Sequence, residues 1–211
     1  MNPRAATLLD ALPQTQCTRC GYPDCAGYAE AIANEEADIN QCPPGGAEGV
    51  QRLSRLTGRP AKALDPQFGL EGPRTLAVID EAWCIGCTLC LDACPTDAIV
   101  GIHKRMHTVI DAHCTGCELC IPACPVDCIS LEAVTPGRSG WQAWSQPLAD
   151  HARARYDTHV ARLARSGPTA AQPEAPPADA PSAVDRKRAI IDAALARARA
   201  TAKDAKGARK P

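Results

Sequence analysis

Aromatic side chains are scarce in this chain. They make up 3% of its 211 residues, with one Phe, three Tyr and three Trp. Such a chain cannot build a large oily core, and modules with weak cores need another source of cohesion. Long apolar runs are missing as well. No stretch approaches the roughly 18 apolar residues of a membrane-spanning helix, and no apolar signal-peptide core is present. No nucleophile paired with a base, no phosphate loop and no dinucleotide fingerprint occurs. The chain is therefore read as having no catalytic site of its own. Cysteine, by contrast, is abundant: there are thirteen.

Eight of these cysteines are written twice in one pattern. Cys84, Cys87, Cys90 and Cys94 precede Pro95, and Cys114, Cys117, Cys120 and Cys124 precede Pro125. Each half reads C-x2-C-x2-C-x3-C-P, the ligand run of two-cluster bacterial ferredoxins, in which the fourth cysteine ligates the other cluster. Cluster I is thus expected on Cys84, Cys87, Cys90 and Cys124, and cluster II on Cys114, Cys117, Cys120 and Cys94. The crossing staples the halves together, so metal binding and folding become one event. The repeat, 84–100 and 114–130, extends beyond cysteine: Gly86 matches Gly116, Leu89 matches Leu119, Ala93 matches Ala123, Asp97 matches Asp127 and Ile99 matches Ile129. Duplication about a pseudo-two-fold axis follows. Paired zinc knuckles would prefer closed sets of four built from C-x2-C pairs, which this pattern is not.

Upstream, Cys17, Cys20, Cys25 and Cys42 read C-x2-C-x4-C-x16-C, with Pro43 after the last. Four soft thiolates at loop spacing suit either a cubane cluster or a tetrahedral zinc, and spacing alone does not separate the two. Gly21 and Gly27 permit close backbone approach to a metal centre. Asp24 caps an expected helix running to about Glu36 with Cys25 at its start.

An N-terminal C-x2-C-x4-C-x16-C domain followed by a two-cluster ferredoxin resembles the B subunit of the Rnf (or Rsx) electron transport complex. The resemblance covers about residues 8–134 and includes the Cys124-Pro-Val-Asp-Cys128-Ile stretch. It implies three [4Fe–4S] clusters, with Cys17, Cys20, Cys25 and Cys42 as ligands of the first. Complexes of this family pass electrons between ferredoxin and NAD coupled to ion movement, run in reverse to supply low-potential electrons, or keep a redox-sensing transcription factor reduced. Members usually begin with a membrane-spanning helix. The sixteen residues before Cys17 include Asn2, Arg4, Asp10 and Gln14, so the reading is of a form lacking that anchor: a cytoplasmic carrier whose contact with the inner membrane is peripheral at most.

Cys128 is the one cysteine outside the three sets. Its repeat partner is Ala98, which favours a small buried side chain over a spare ligand or redox-active thiol. His103 and His107 have helical spacing but no third ligand nearby, and Lys104 and Arg105 between them suggest an exposed turn. His113, beside Cys114, reads as a neighbour of the cluster rather than a hydrogen-bond donor to it. Trp83, beside Cys84, is expected to shield cluster I from water.

Pro and Gly punctuate 58–74 as a linker between an N-terminal cluster domain (1–57) and the ferredoxin domain (75–144). A helix is expected over 47–56, a strand over 75–79 and a hairpin-like insertion over 101–110. The remainder, 145–211, reads as a loosely attached basic tail. Leu148, Ala152, Tyr156, Val160 and Leu163 mark one amphipathic helix. Residues 167–182 are rich in Pro and Ala and read as disordered, and a second helix is expected over 184–206. From Ser145 on there are thirteen Lys/Arg against seven Asp/Glu, net +6; before it there are ten against seventeen, net −7. An acidic cluster body is steered toward a basic redox partner, and the basic tail suits an acidic protein or anionic lipid. It lacks the aromatic interleaving and base-reading motif of a nucleic-acid binder.

The fold class is α+β: a two-[4Fe–4S] ferredoxin-like domain preceded by a small, mostly helical single-cluster domain, with a partly helical tail. The function is electron transfer between redox protein partners, other Rnf-type subunits among them. The alternative from another class is an iron–sulfur redox sensor.

Overall fold

The computed structural model describes residues 2–166. The expected disordered stretch at 167–182 and helix at 184–206 lie outside the described residues.

The first helix, α1 (Pro3–Asp10), opens with Asn2 accepting the Arg4 N–H at 3.0 Å and Pro3 in its first turn, where a missing N–H costs nothing. The next, α2 (Cys25–Ala33), opens on Asp24, whose carboxylate accepts the Gly27 N–H at 2.6 Å. Its start is the one expected, but it stops three residues short of Glu36. Glu35 adopts φ +65°, the Glu35 N–H returns to Ile32 O and the Glu36 N–H to Ala31 O. This is a Schellman closure with Glu in the left-handed slot that usually advertises itself as Gly. A third helix, α3 (Gly46–Thr57), follows a 3-10 turn at Pro43–Gly45. Leu8, Leu12, Tyr28, Ile32, Ile39 and Leu53 are fully buried among these elements. Burying one such side chain is worth about 1.5–3 kcal/mol, so this half has a core of its own. Tyr28 ties it further, donating to Asp38 O at 2.7 Å and accepting from the Gln41 N–H.

The second half is built from β1 (Thr75–Ile79), α4 (Leu89–Ala93), β2 (Ile99–Val100), β3 (Thr108–Val109), α5 (Cys120–Ala123) and β4 (Ile129–Ala133). β1 pairs antiparallel with β4, Thr75 opposite Ala133 and Ile79 opposite Ile129, while β2 pairs with β3 as a hairpin. The thirty-residue repeat is written into the backbone as well. Gly86 and Gly116 have φ +69° and +67°, Thr88 and Glu118 both +68°, and Asp97 and Asp127 +48° and +52°. A Cβ on Gly86 would lie 2.4 Å from Arg105 N, and one on Gly116 2.5 Å from Thr75 O. Positions 75 and 105 are themselves repeat counterparts, so both loops press against equivalent points of the backbone, and only glycine fits there.

Two further helices close the body, the short α6 (Gly140–Ala143) and the long α7 (Gln146–Ser166). The helix expected around Leu148–Leu163 is present, but its buried stripe differs: Ala149, Ala152 and His159 are buried, while Val160 and Leu163 are exposed. The last turns are held by polar groups instead. His159 Nδ1 lies 2.7 Å from Asp97 Oδ1, Arg162 bonds the same carboxylate at 2.7 Å, and Arg155 donates to the carbonyls of Thr96 and Asp97. Tyr156 donates to Asp24 at 3.0 Å, and Arg153 pairs with Asp10. This helix thus belongs to the packed body rather than to a loosely attached tail. It is fastened to both halves.

Scarce as aromatics are, two of the three tryptophans seal the junction between the halves. Trp144 is buried, donates to Pro13 O at 2.8 Å and lies under the Arg74 guanidinium. Trp141 lies under Arg52, 3.7 Å from ring centre to guanidinium carbon. Glu71, in the expected linker, caps the first turn of α3 through the Ala47 N–H and accepts from Ser139 beside α6.

Candidate metal centres

In the second half the cysteines gather in two enclosed cavities related by the repeat. One is lined by Cys114, Cys117 and Cys120 together with Cys94, and by Ala77, Thr96 and Ala98. The other is lined by Cys84, Cys87 and Cys90 together with Cys124, and by His107, Val126 and Cys128. In each, three thiols come from one loop and the fourth from the far repeat. The backbone supplies matching hydrogen bonds. Ala77 N–H donates to Cys114 Sγ and His107 N–H to Cys84 Sγ, both at 3.4 Å; Ala98 N–H donates to Cys94 Sγ and Cys128 N–H to Cys124 Sγ, at 3.2 and 3.4 Å.

In the first half, Cys17 and Cys20 sit on the loop before α2, Cys25 opens that helix, and Cys42 leads into the turn before α3. Gln16, at φ +54° and buried, accepts the Cys25 N–H at 2.9 Å and fixes the loop against the helix start. The four thiols feel one another. Burial pushes Cys25 up to about 12, with Cys17 and Cys20 adding to the rise. Burial likewise pushes Cys42 well above the usual thiol value, reinforced by Cys17, Cys25 and Cys20.

The same crowding marks the second half. Burial first, and then neighbouring thiols, raise Cys90 and Cys117 to about 11 and Cys120 to about 12. Metal binding to thiols raised in this way must displace their protons. All-thiolate sets select iron–sulfur clusters or zinc among biological metals. Among the described residues no three His, Cys, Asp or Glu side chains converge closely enough to hold a single ion.

Three side chains depart from the expectations for them. His107 is buried, not in an exposed turn: its Nδ1 lies 3.3 Å from Cys90 Sγ, and its Nε2 has no partner. Cys128 is half-buried, with its sulfur 3.5 Å from Cys124 Sγ. Burial and the neighbouring Cys124 and Cys84 push its thiol up to about 12. For Cys124 burial acts the same way, but donors from Cys128 and Val126 outweigh it and bring the thiol below its ordinary value. Trp83 is 69% exposed and lines an open surface recess with Asp80, Asp127 and Cys128 rather than the enclosed cavity. Of the other two histidines singled out by sequence, His103 is exposed and His113 has a buried Nδ1 without a partner. His113 contacts the His151 ring, and its carbonyl accepts from Thr96.

The N-terminal site abuts the Cys114 loop. Thr115 donates to Thr15 O at 2.9 Å in a buried bond, and Arg19 pairs with Glu118. That guanidinium stands close enough to both Cys17 and Cys117 to interact with each. A cavity at this seam is lined by Thr15, Arg19, Arg74, Thr115, Glu118 and Trp144.

A family model described as "4Fe-4S dicluster domain" matches residues 77–131, and one described as "Putative Fe-S cluster" matches residues 12–44. The chain is 62% identical over 139 residues to the B subunit of the ion-translocating oxidoreductase complex of Azoarcus sp. (strain BH72), covering 66% of this chain and 75% of that one. The corresponding B subunit of Alkalilimnicola ehrlichii is 54% identical over 154 residues, covering 72% and 82%. That of Thiobacillus denitrificans is 59% identical over 109 residues, covering 52% and 58%. No solved structure matches. Among the described residues no helix is long and apolar enough to cross a membrane. With its iron–sulfur dicluster domain and its likeness to these relatives over most of their length, the chain belongs to the family of Rnf/Rsx B subunits, electron-transport proteins of the ion-translocating oxidoreductase complex.

Proposed function

We propose that this chain carries three [4Fe–4S] clusters and hands low-potential electrons from one end of its body to the other, between redox protein partners that include other subunits of an Rnf-type complex. Cys17, Cys20, Cys25 and Cys42 would hold the first cluster, Cys84, Cys87, Cys90 and Cys124 cluster I, and Cys114, Cys117, Cys120 and Cys94 cluster II. When bound, such clusters accept and release single electrons. The observation that carries this reading is the pair of symmetry-related cavities, each lined by four cysteines drawn from both repeats.

Contacts at the seam support an order for the route. Thr15, Thr115, Arg19 and Glu118 hold the Cys17 loop against the Cys117 loop, so cluster II is the inner station. The equivalent face at cluster I is uncovered: Ile85 and Leu89 are 57% and 48% exposed. A partner would exchange electrons there. Contact with a membrane would come through such partners or through the basic residues beyond 167. The chain thus acts as a carrier within an oxidoreductase assembly.

The test is anaerobic reconstitution followed by iron, sulfide and zinc analysis, with EPR of the reduced protein. Twelve irons per chain is the expected load. Eight irons with one zinc would leave the ferredoxin half intact and overturn the N-terminal cluster.

A further inference from the structure

The thirty-residue repeat equates Ala77 with His107 and Ala98 with Cys128. The structure shows these to be true counterparts, since the backbone N–H of each donates to the matching cysteine sulfur. Their side chains line matching cavities. At cluster II both positions are alanine and contribute only methyl groups. At cluster I they carry a ring N–H and a thiol. His107 is 1% exposed with Nδ1 3.3 Å from Cys90 Sγ, and Cys128 Sγ lies 3.5 Å from Cys124 Sγ.

A ligating thiolate can only accept. The shared protons must therefore sit on His107 Nδ1 and on Cys128. Among the described residues, the side-chain donors nearest the cluster II sulfurs are the hydroxyls of Thr96 and Thr115, the latter close enough to Cys117 to act on it. Thr96 lies 3.8 Å from Cys94 Sγ, but its one proton goes to His113 O, and the Thr115 proton goes to Thr15 O. The nearby cations act differently: Arg19 is paired with Glu118, and Arg74 donates to main-chain carbonyls.

We propose that His107 and Cys128 raise the reduction potential of cluster I by donating hydrogen bonds to the sulfurs of Cys90 and Cys124. The proposal rests on the ligand sets given above. Reduction adds negative charge to the cluster and its thiolates, and a donor aimed at a ligand sulfur stabilises that charge. Two donors in place of two alanines make cluster I easier to reduce than the bare repeat would be. The duplicated halves thereby become electronically distinct.

The experiment is a potentiometric EPR titration of full-length, reconstituted protein, with iron counted in every sample. Cys128→Ala copies Ala98 and is the least disruptive change. His107→Phe keeps a buried ring without its N–H. Each variant should keep the wild-type iron load and move the same single redox wave downward, to about a tenfold lower reduced-to-oxidised ratio at fixed potential, about 59 mV for one electron. The double variant should move that wave further, and Cys128→Ser, which keeps a donor, should remain near wild type. Unmoved waves at full iron, different waves moved by the two variants, or Cys128→Ser falling as far as Cys128→Ala would each overturn the proposal alone. Fewer than eight irons in the wild-type chain would overturn the ligand sets and the proposal with them. Loss of a whole cluster from Cys128→Ala would make Cys128 a ligand and overturn both.

Discussion

Cysteine spacing carries nearly all of the candidate site, because thiolate chemistry leaves few ways to write two Pro-tailed C-x2-C-x2-C-x3-C runs. One consequence is a sharp ligand test. Cys94 lies in the first repeat but lines the cavity of the second. Cys94→Ala should therefore cost the cluster on Cys114, Cys117 and Cys120 while sparing the other two, which iron analysis with EPR would detect as loss of four irons or conversion to a three-iron signal. Loss of the signal assigned to cluster I instead would reverse the crossed pairing. What the sequence concealed is His107. Between exposed neighbours such as Lys104, Arg105 and Met106, it has no apolar periodicity to announce burial. The available signal was the repeat offset: position 107 equates with Ala77, the third residue of a strand whose N–H faces a cysteine. Cys128 aligns with Ala98 in the repeat, which points to a small buried side chain and hides that a thiol, unlike a methyl group, can donate.

Among the elements, strand β1, hairpin β2–β3 and helices α2 and α3 were legible from capping and turn residues, whereas the end of α2 was not, because Glu35 occupies a slot that Gly normally marks. Helix α7 was legible as a helix but not in its docking, since its last turns are held by charge rather than by an apolar stripe. The Asp97 carboxyl shows the balance: burial raises it, but hydrogen bonds from Arg162 and His159 prevail and hold it below the usual carboxylate value. A carboxyl depressed on folding stabilises the folded state above its unfolded value, about 3.9, and that stabilisation fades as pH falls through the folded value. The hold on α7 should thus persist at neutral pH and weaken in acid. At pH 7, Asp97→Asn keeps a residue tolerant of the positive φ at this position but removes the charge. With Arg162 half-exposed, the loss should be on the order of 1 kcal/mol. Hydrogen exchange within 153–165 should accelerate, with iron content unchanged. Unaltered exchange there would mean that Tyr156 and Arg155 suffice to hold the helix.

For the whole molecule, the decisive contacts join the two halves, and they were the least legible part, because they depend on residues far apart in sequence. Trp144 and Pro13 are 131 residues apart, and Thr115 and Thr15 are 100 apart; no local pattern encodes either pair. If electrons pass between the first cluster and cluster II, that seam governs the step, while the basic residues from 168 on govern encounters with partners. The two roles separate by salt. Trp144→Ala removes a buried indole and its hydrogen bond to Pro13 O, a loss of about 3–5 kcal/mol for a large core aromatic. All twelve proposed ligands lie elsewhere, so iron content should stay at the wild-type level. Electron equilibration between the first cluster and cluster II, followed by freeze-quench EPR after rapid reduction, should slow, and to a similar degree at low and high ionic strength. Truncation after Gly167 removes no cysteine or histidine and should leave that internal step intact. It should change the rate of partner reduction chiefly at low salt, where charges are least screened. If Trp144→Ala left the internal rate at the wild-type value, the seam would be structural only, and the order of clusters argued from it would fall.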